Sequence, residues 1–331
     1  MLLLVALSTC GCLFAQSNSP LKAAGFIDLP GPKGKRFDYL TIDPMRHYLF
    51  ATHLGAGLLY VIDLKTDRVV KTISDLPGIE GVEIASDANK VYTSNWYENK
   101  IGVVDLVSLK LIKKIPTEAK PDGIAYAAPF HKIYVSDERA KAEAVVDVSK
   151  DGIIKILHFD SETGNVRYDP VSQHILVNLQ EKNAIAEIDP ASDRELAQYP
   201  VGVCRGNHGM ALDAERRLAF LVCEDNNLMT VFDLISQKPV TSLPIADGGD
   251  VIAFDPGLRR IYVACYSGAI SVFQEDDPKH FRKLADFPVE KKAHSFAIDT
   301  STHKIYVPEQ EVNGKSAARI AVYDAVQKSG R

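Results

Sequence analysis

The chain has 331 residues, 46% of them hydrophobic and 24% charged, an ordinary globular composition with ample apolar material for a large buried core. Its formal net charge of −5 lacks the basic excess that nucleic-acid binders usually carry, so nucleic acid is not an expected partner. Length alone would suggest two domains, but large all-β folds often reach this size as one.

The first residues read as a separate segment. Leu2 to Leu7 form an apolar run, followed by Ser8, Thr9, Cys10, Gly11 and Cys12, then Leu13-Phe14-Ala15-Gln16. Residues 1–15 are therefore expected to be a secretory signal peptide cut after Ala15, which places the mature chain in a periplasm or outside the cell. The run is too short for a membrane-spanning helix, which needs about 20 apolar residues. No Lys or Arg precedes Lys22, so the basic start of such a signal is missing. Leu7-Ser8-Thr9-Cys10 resembles a lipoprotein box, but Thr9 departs from it, and a lipid anchor is not the favoured reading. Beyond the signal stand Cys204, Cys223 and Cys265, an odd number that leaves at least one thiol without a partner.

From Lys22 to Gln327 the chain is a repeat. An apolar anchor, often followed by Asp, recurs at Ile42, Ile84, Tyr126, Tyr168, Leu212, Phe254 and Ile298, with spacings of 42 or 44 residues. Eight residues after each anchor stands a large apolar residue: Phe50, Tyr92, Tyr134, Leu176, Phe220, Tyr262 and Tyr306. Further alternating runs end at Asp63, Asp105, Asp147, Asp189, Asp233, Gln274 and Asp324, where a turn is expected. Each unit reads as four short strands, and a four-stranded repeat of about 40–45 residues is a propeller blade. Seven anchors predict an all-β, seven-bladed β-propeller with four-stranded blades. Phe26-Ile27-Asp28-Leu29-Pro30-Gly31 echoes Ile73-Ser74-Asp75-Leu76-Pro77-Gly78, the end of blade one, and too few residues follow Asp324 for a last strand. The N-terminal strand is therefore expected to complete blade seven, closing the ring and hiding its edges.

Tyr92-Thr93-Ser94-Asn95, Tyr134-Val135-Ser136-Asp137, Tyr262-Val263-Ala264-Cys265 and the phrase Lys120-Pro121-Asp122-Gly123-Ile124-Ala125 resemble the YVTN-repeat, YncE-like propellers, a group of exported bacterial proteins. The resemblance spans essentially the whole mature chain. It implies the fold and says little about activity, since related propellers include binding modules as well as lyase- and lactonase-type enzymes.

The inner strand of each blade lines the central channel, and the residue four before each anchor begins it. These residues are Asp38, Glu80, Asp122, Gly164, His208, Asp250 and His294, a ring around one channel mouth. Eleven after each anchor, where the second strand ends at the same face, stand His53, Asn95, Asp137, Leu179, Cys223, Cys265 and Glu309, expected as a second ring. A one-residue change of side-chain direction there would substitute neighbours such as Glu224 or Tyr266. Blade four opts out of both rings, although Asn165 sits beside Gly164. At about 8 Å and an effective dielectric near 20, each like-charge pair in such a ring costs about 2 kcal/mol. A cation, a protonated histidine or a protonated carboxyl would relieve it.

His208, Asp250 and His294, with Cys223, Cys265 and Glu309 nearby, are candidate ligands for one divalent metal ion. Arg205, in the loop entering blade five, is a candidate anion contact beside His208. Cys204 precedes blade five's inner strand at the same face, making Cys204–Cys223 the better disulfide pair. No phosphate-cradling loop, GxSxG or HExxH is present. Three readings follow. The leading one is a binding propeller that holds a small ligand, a cation or a protein partner through Asp38, Glu80, Asp122, Arg205, His208, Asp250 and His294. The second is a metal-dependent lyase or lactonase with His208 and His294 as candidate catalytic groups. The third is a copper- or redox-handling protein using the thiols.

Overall fold

The computed structural model describes residues 19–327, so the expected signal at 1–15, with Cys10 and Cys12, lies outside the described residues. Seven four-stranded antiparallel sheets follow one another around a ring. Six are built from consecutive strands, as in blade five: Asn207–Asp213, Leu218–Cys223, Leu228–Asp233 and Lys238–Pro244. The seventh takes its inner three strands from Ala297–Asp299, Lys304–Val312 and Lys315–Ala325, and its outer strand from Leu21–Asp28. That N-terminal strand runs antiparallel to the C-terminal one, from Leu21 opposite Ala325 to Asp28 opposite Arg319. The ring is thus closed as the sequence requires, and the first and last blades have no free edge toward each other. No helix among the described residues is long and apolar enough to cross a membrane.

The residues eight after each anchor are all buried, from Phe50, Tyr92, Tyr134, Phe220 and Tyr262 at 0% exposed to Leu176 at 3%. They pack in the apolar layers between blades, each contributing about 1.5–3 kcal/mol of apolar burial. Buried tyrosines keep a polar handle: Tyr92 and Tyr134 donate to Asp151 and Asp193 at 2.6 Å. The Asp residues at strand ends are turn formers. Asp63, Asp147 and Asp233 each accept the backbone N–H two residues on. Five residues after every anchor the backbone has positive φ, at His47, Asn89, His131, Gln173, Arg217, Arg259 and His303, which tightens the first hairpin of each blade. Arg217 and His303 also reach back to Asp169 and Asp255 of the preceding blade, at 2.6 and 2.7 Å.

Candidate functional site

The inner strands of blades two to six share a local defect. Each carries one extra residue against its partner strand, between Ile79 and Val82, Pro121 and Ile124, Thr163 and Val166, Asn207 and Met210, and Gly249 and Ile252. A β-bulge of this kind re-aims the side chains within it. The bulged residues are Glu80, Asp122, Gly164, His208 and Asp250, members of the expected first ring. Glycine follows three of them, because a Cβ at Gly81 or Gly209 would overlap the backbone carbonyl of Asp122 or Asp250 in the next blade. The blades can therefore crowd together at the axis and carry their ring side chains inward.

The first ring forms as expected. Asp38, Glu80, Asp122, Asp250, His208 and His294 are all at least nine-tenths buried. Blade four contributes only Gly164, and through that gap His208 reaches past blade four: its Nε2 lies 3.6 Å from Asp122 and 3.6 Å from Asp250. His294 Nε2 lies 3.6 Å from Asp38 and 4.0 Å from the other oxygen of Asp250. Asp250 thus stands between two imidazoles, each of which also faces a second carboxylate. None of these separations is a hydrogen bond.

The second ring does not form. The bulge shifts the register, so Asn95, Asp137, Leu179, Cys223 and Cys265 pair with Ile79, Pro121, Thr163, Asn207 and Gly249 and turn into the blade interfaces. His53 stacks on Phe37 at 3.9 Å and bonds Tyr60. The residues one position later face the mouth instead. The ligand atoms of Glu224 lie within 4.8 Å of those of His208 and Asp250. Tyr266 stacks flat on His294, with ring centres 4.1 Å apart.

Three metal candidates are corrected on this basis. Cys223 is joined to Cys204 in a disulfide, with Cα atoms 5.2 Å apart, so it has no thiolate to offer. Cys265 lies in the apolar layer between blades five and six, where burial pushes its thiol up to about 11. Glu309 is buried against Arg319, whose Nε donates at 2.5 Å. Arg205 is exposed in the entry loop before His208.

Two mouth residues had no signal in the repeat. Arg36, from the segment before blade one, pairs with Asp38 at 2.8 Å and lies over Tyr266. Tyr39 reaches across the channel, accepting from Asn165 Nδ2 at 2.6 Å and meeting His208 Nε2 at 3.2 Å. Glu138 lies twelve residues after the blade-three anchor. It is legible only once the register shift is known.

The electrostatics follow from crowding carboxylates out of water. Burial, then the charges of Asp122 and Asp38, push Glu80 up to about 12. Burial pushes Asp122 up to about 8 against the pull of His208, and raises Asp250 against both histidines. Burial also acts on Asp38, but His294 and Arg36 outweigh it and hold that carboxyl low. Burial opposes charge on His208, yet Glu224, Asp122 and Asp250 raise it to about 10. His294 is raised by Asp38 and Asp250 in the same way. The mouth is therefore a place where positive charge, from protons or a cation, is strongly favoured.

Comparison with known proteins adds the fold and little more. No protein-family model matches the chain, and no curated protein matches it in sequence. Among solved structures, it superposes on Kuenenia stuttgartiensis hydrazine synthase with TM-score 0.75 and 15% identity, covering 88% of this chain and 96% of that one. It superposes on virginiamycin B lyase from Staphylococcus aureus with TM-score 0.74 and 14% identity, over 92% and 99% of the two chains. The WD40 repeats of RRP9 give TM-score 0.76 and 12% identity, over 91% and 99%. At these identities the likeness establishes a seven-bladed propeller and no activity.

Proposed function

We propose that this is an exported propeller of the YVTN-repeat type whose channel mouth binds one divalent cation through His294, Asp250 and His208, with Asp38, Asp122 and Glu224 beside them. The carrying observation is His294. Its Nδ1 lies 2.8 Å from the carbonyl of Lys292 and donates to it, so Nε2 is the nitrogen at which a cation would replace a proton. That Nε2 is buried, has no hydrogen-bond partner and faces two carboxylates. A ring nitrogen fixed by a backbone carbonyl behind it, with carboxylates in front, is the usual dress of a metal-binding histidine. Imidazole with carboxylates suits a first-row dication such as zinc or manganese, and the loss of Cys223 and Cys265 as ligands removes the thiolate-based copper reading. Export is supported by the Cys204–Cys223 disulfide, a bond that persists in oxidising compartments.

The test is the metal content of protein purified without chelator or histidine tag, beside Asp250→Asn and the double variant His208→Ala/His294→Ala. Near-stoichiometric metal in the wild type, lost in both folded variants, is the expected result. Wild-type protein that stays metal-free after incubation with zinc, manganese and calcium would overturn the proposal. A second, enzymatic reading rests on the His208–Tyr39–Asn165 hydrogen-bonded series: with His208 Nε2 left to Tyr39 and the cation held by His294 and Asp250 alone, His208 would move a proton beside a cation-polarised carbonyl. Turnover of lactones or cyclic esters by the loaded protein, lost in Tyr39→Phe with metal retained, would favour it over binding alone.

A further inference from the structure

Below the mouth, the channel holds a second compartment. A cavity of about 420 Å³ is lined by the inner strands of blades one to four, and it extends to Pro170 in the turn at the opposite face. The Tyr39–Asn165 hydrogen bond lies between it and His208. The residues immediately before the seven anchors mark the layer of this cavity: Thr41, Glu83, Ala125, Arg167, Ala211, Ala253 and Ala297. Five are small, which leaves the space open. The other two carry opposite charges, two blades apart, and both line the cavity.

Neither group has an ion-pair partner among the described residues. Arg167 donates to the Val166 carbonyl at 2.8 Å and to Asn165 Oδ1 at 2.9 Å, both uncharged acceptors, and it forms no salt bridge among the described residues. Glu83 forms none either; burial pushes its carboxyl up to about 7 against the pull of Arg167, so a cation placed beside it would complete its ionisation. Both residues are only partly buried and face the same cavity, yet they do not close into a pair. Here a space of ligand size separates them. Tyr126 and Tyr168 line the same cavity with aromatic surface.

We propose that this cavity is a second binding site, taking a small zwitterion whose carboxylate meets Arg167 and whose ammonium meets Glu83. A simple anion or a simple cation would satisfy one group and leave the other unpaired in a confined place, so both charges on one molecule are required. The cavity shares Tyr39 and Asn165 with the mouth but is lined by none of the candidate cation ligands.

Calorimetric titration of the full chain with glycine, β-alanine, γ-aminobutyrate, aminovalerate, aminohexanoate and L-leucine tests this. One spacing of the two charges is expected to bind best. The matching plain carboxylate and plain amine should each bind about tenfold more weakly or worse, as expected for loss of one charge-assisted contact. Glu83→Gln should erase the preference for the zwitterion over the plain carboxylate, and Arg167→Gln the preference over the plain amine. Should either variant fail to fold, Ala125→Leu fills the cavity without touching the charges and should abolish binding. Binding should be the same with chelator and with added zinc, which separates failure here from failure at the mouth. No binding by any member of the series, or binding indifferent to the folded Glu83→Gln, Arg167→Gln and Ala125→Leu variants, would overturn the proposal.

Discussion

Breaking the Cys204–Cys223 disulfide tests the fold and the mouth together. The two cysteines are 19 residues apart in sequence. A loop of about 20 residues loses roughly 11 cal/mol/K of unfolded-chain entropy on closure, or about 3 kcal/mol at room temperature. For about 300 residues unfolding with roughly 2 cal/mol/K each, that corresponds to a Tm lower by about 5 °C. The bond also has a local consequence. Cys223 immediately precedes Glu224, and Cys204 opens the short loop that delivers His208, so the disulfide staples together the candidate ligand His208 and the Glu224 carboxylate beside it. The double variant Cys204→Ala/Cys223→Ala should therefore lose stability and also bind the cation about tenfold more weakly or worse, whereas Cys265→Ala should leave cation affinity unchanged. Differential scanning calorimetry and metal titration read the two effects. Three titratable thiols in the mature protein unfolded without reductant, or a Tm within a degree of wild type in the double variant, would refute the reasoning.

The mouth also fixes a pH dependence. His208 is raised from 6.5 to about 10, so its stabilisation is complete below about pH 6.5 and is lost as pH rises through 10. Asp122 is raised from 3.8 to about 8, so its ionisation in the fold is a growing cost between those values. Both have the same sign: chelated protein should lose Tm steadily from pH 7 to 10, and protein loaded with zinc or manganese should lose less. A Tm of the chelated protein that is flat or rises over that interval would contradict the assignment. At the blade contacts, Gly209→Ala should cost about 1–3 kcal/mol, because the added methyl meets the Asp250 carbonyl. Gly152→Ala, where a Cβ meets nothing, should be near neutral by the same denaturant melt.

The fold was legible because a repeat reports on itself seven times. The anchors, the buried aromatics eight residues on and the echo of Phe26–Gly31 in Ile73–Gly78 predict the blades and the closing strand, and all are present. The first ring was legible for the same reason. The second ring was misplaced because hairpin arithmetic assumes an unbroken ladder, and one extra residue in the inner strand reverses which side of the second strand faces the mouth. A hint of the bulge was in the sequence. Glu80-Gly81, Asp122-Gly123 and His208-Gly209 place glycine inside a strand, which often marks a bulge or a close approach of backbones. Arg36 and Tyr39 had no such hint. Arg36 stands six before its anchor, where the other blades carry Gly, Lys or Glu, and Tyr39 acts across the channel on blade four, a contact no spacing encodes.

Both proposed sites depend on the places where the seven blades disagree. A ring of identical acidic side chains would repel itself around the axis and define no single position for a ligand. Gly164 breaks that symmetry: without a side chain from blade four, His208 swings into contact with Asp122 while Asp250 holds its other side. His294 repeats the arrangement across Asp250, and the two imidazoles converge on one carboxylate instead of spreading evenly around the mouth. One layer down, five small residues and a single opposed charge pair break the symmetry again. In a repeat protein the shared positions must build the scaffold, since each blade needs the same strands, turns and packing layer. Residues that depart from the pattern and lie inward at the axis, where every blade meets, are therefore where a function that the scaffold does not require would be written.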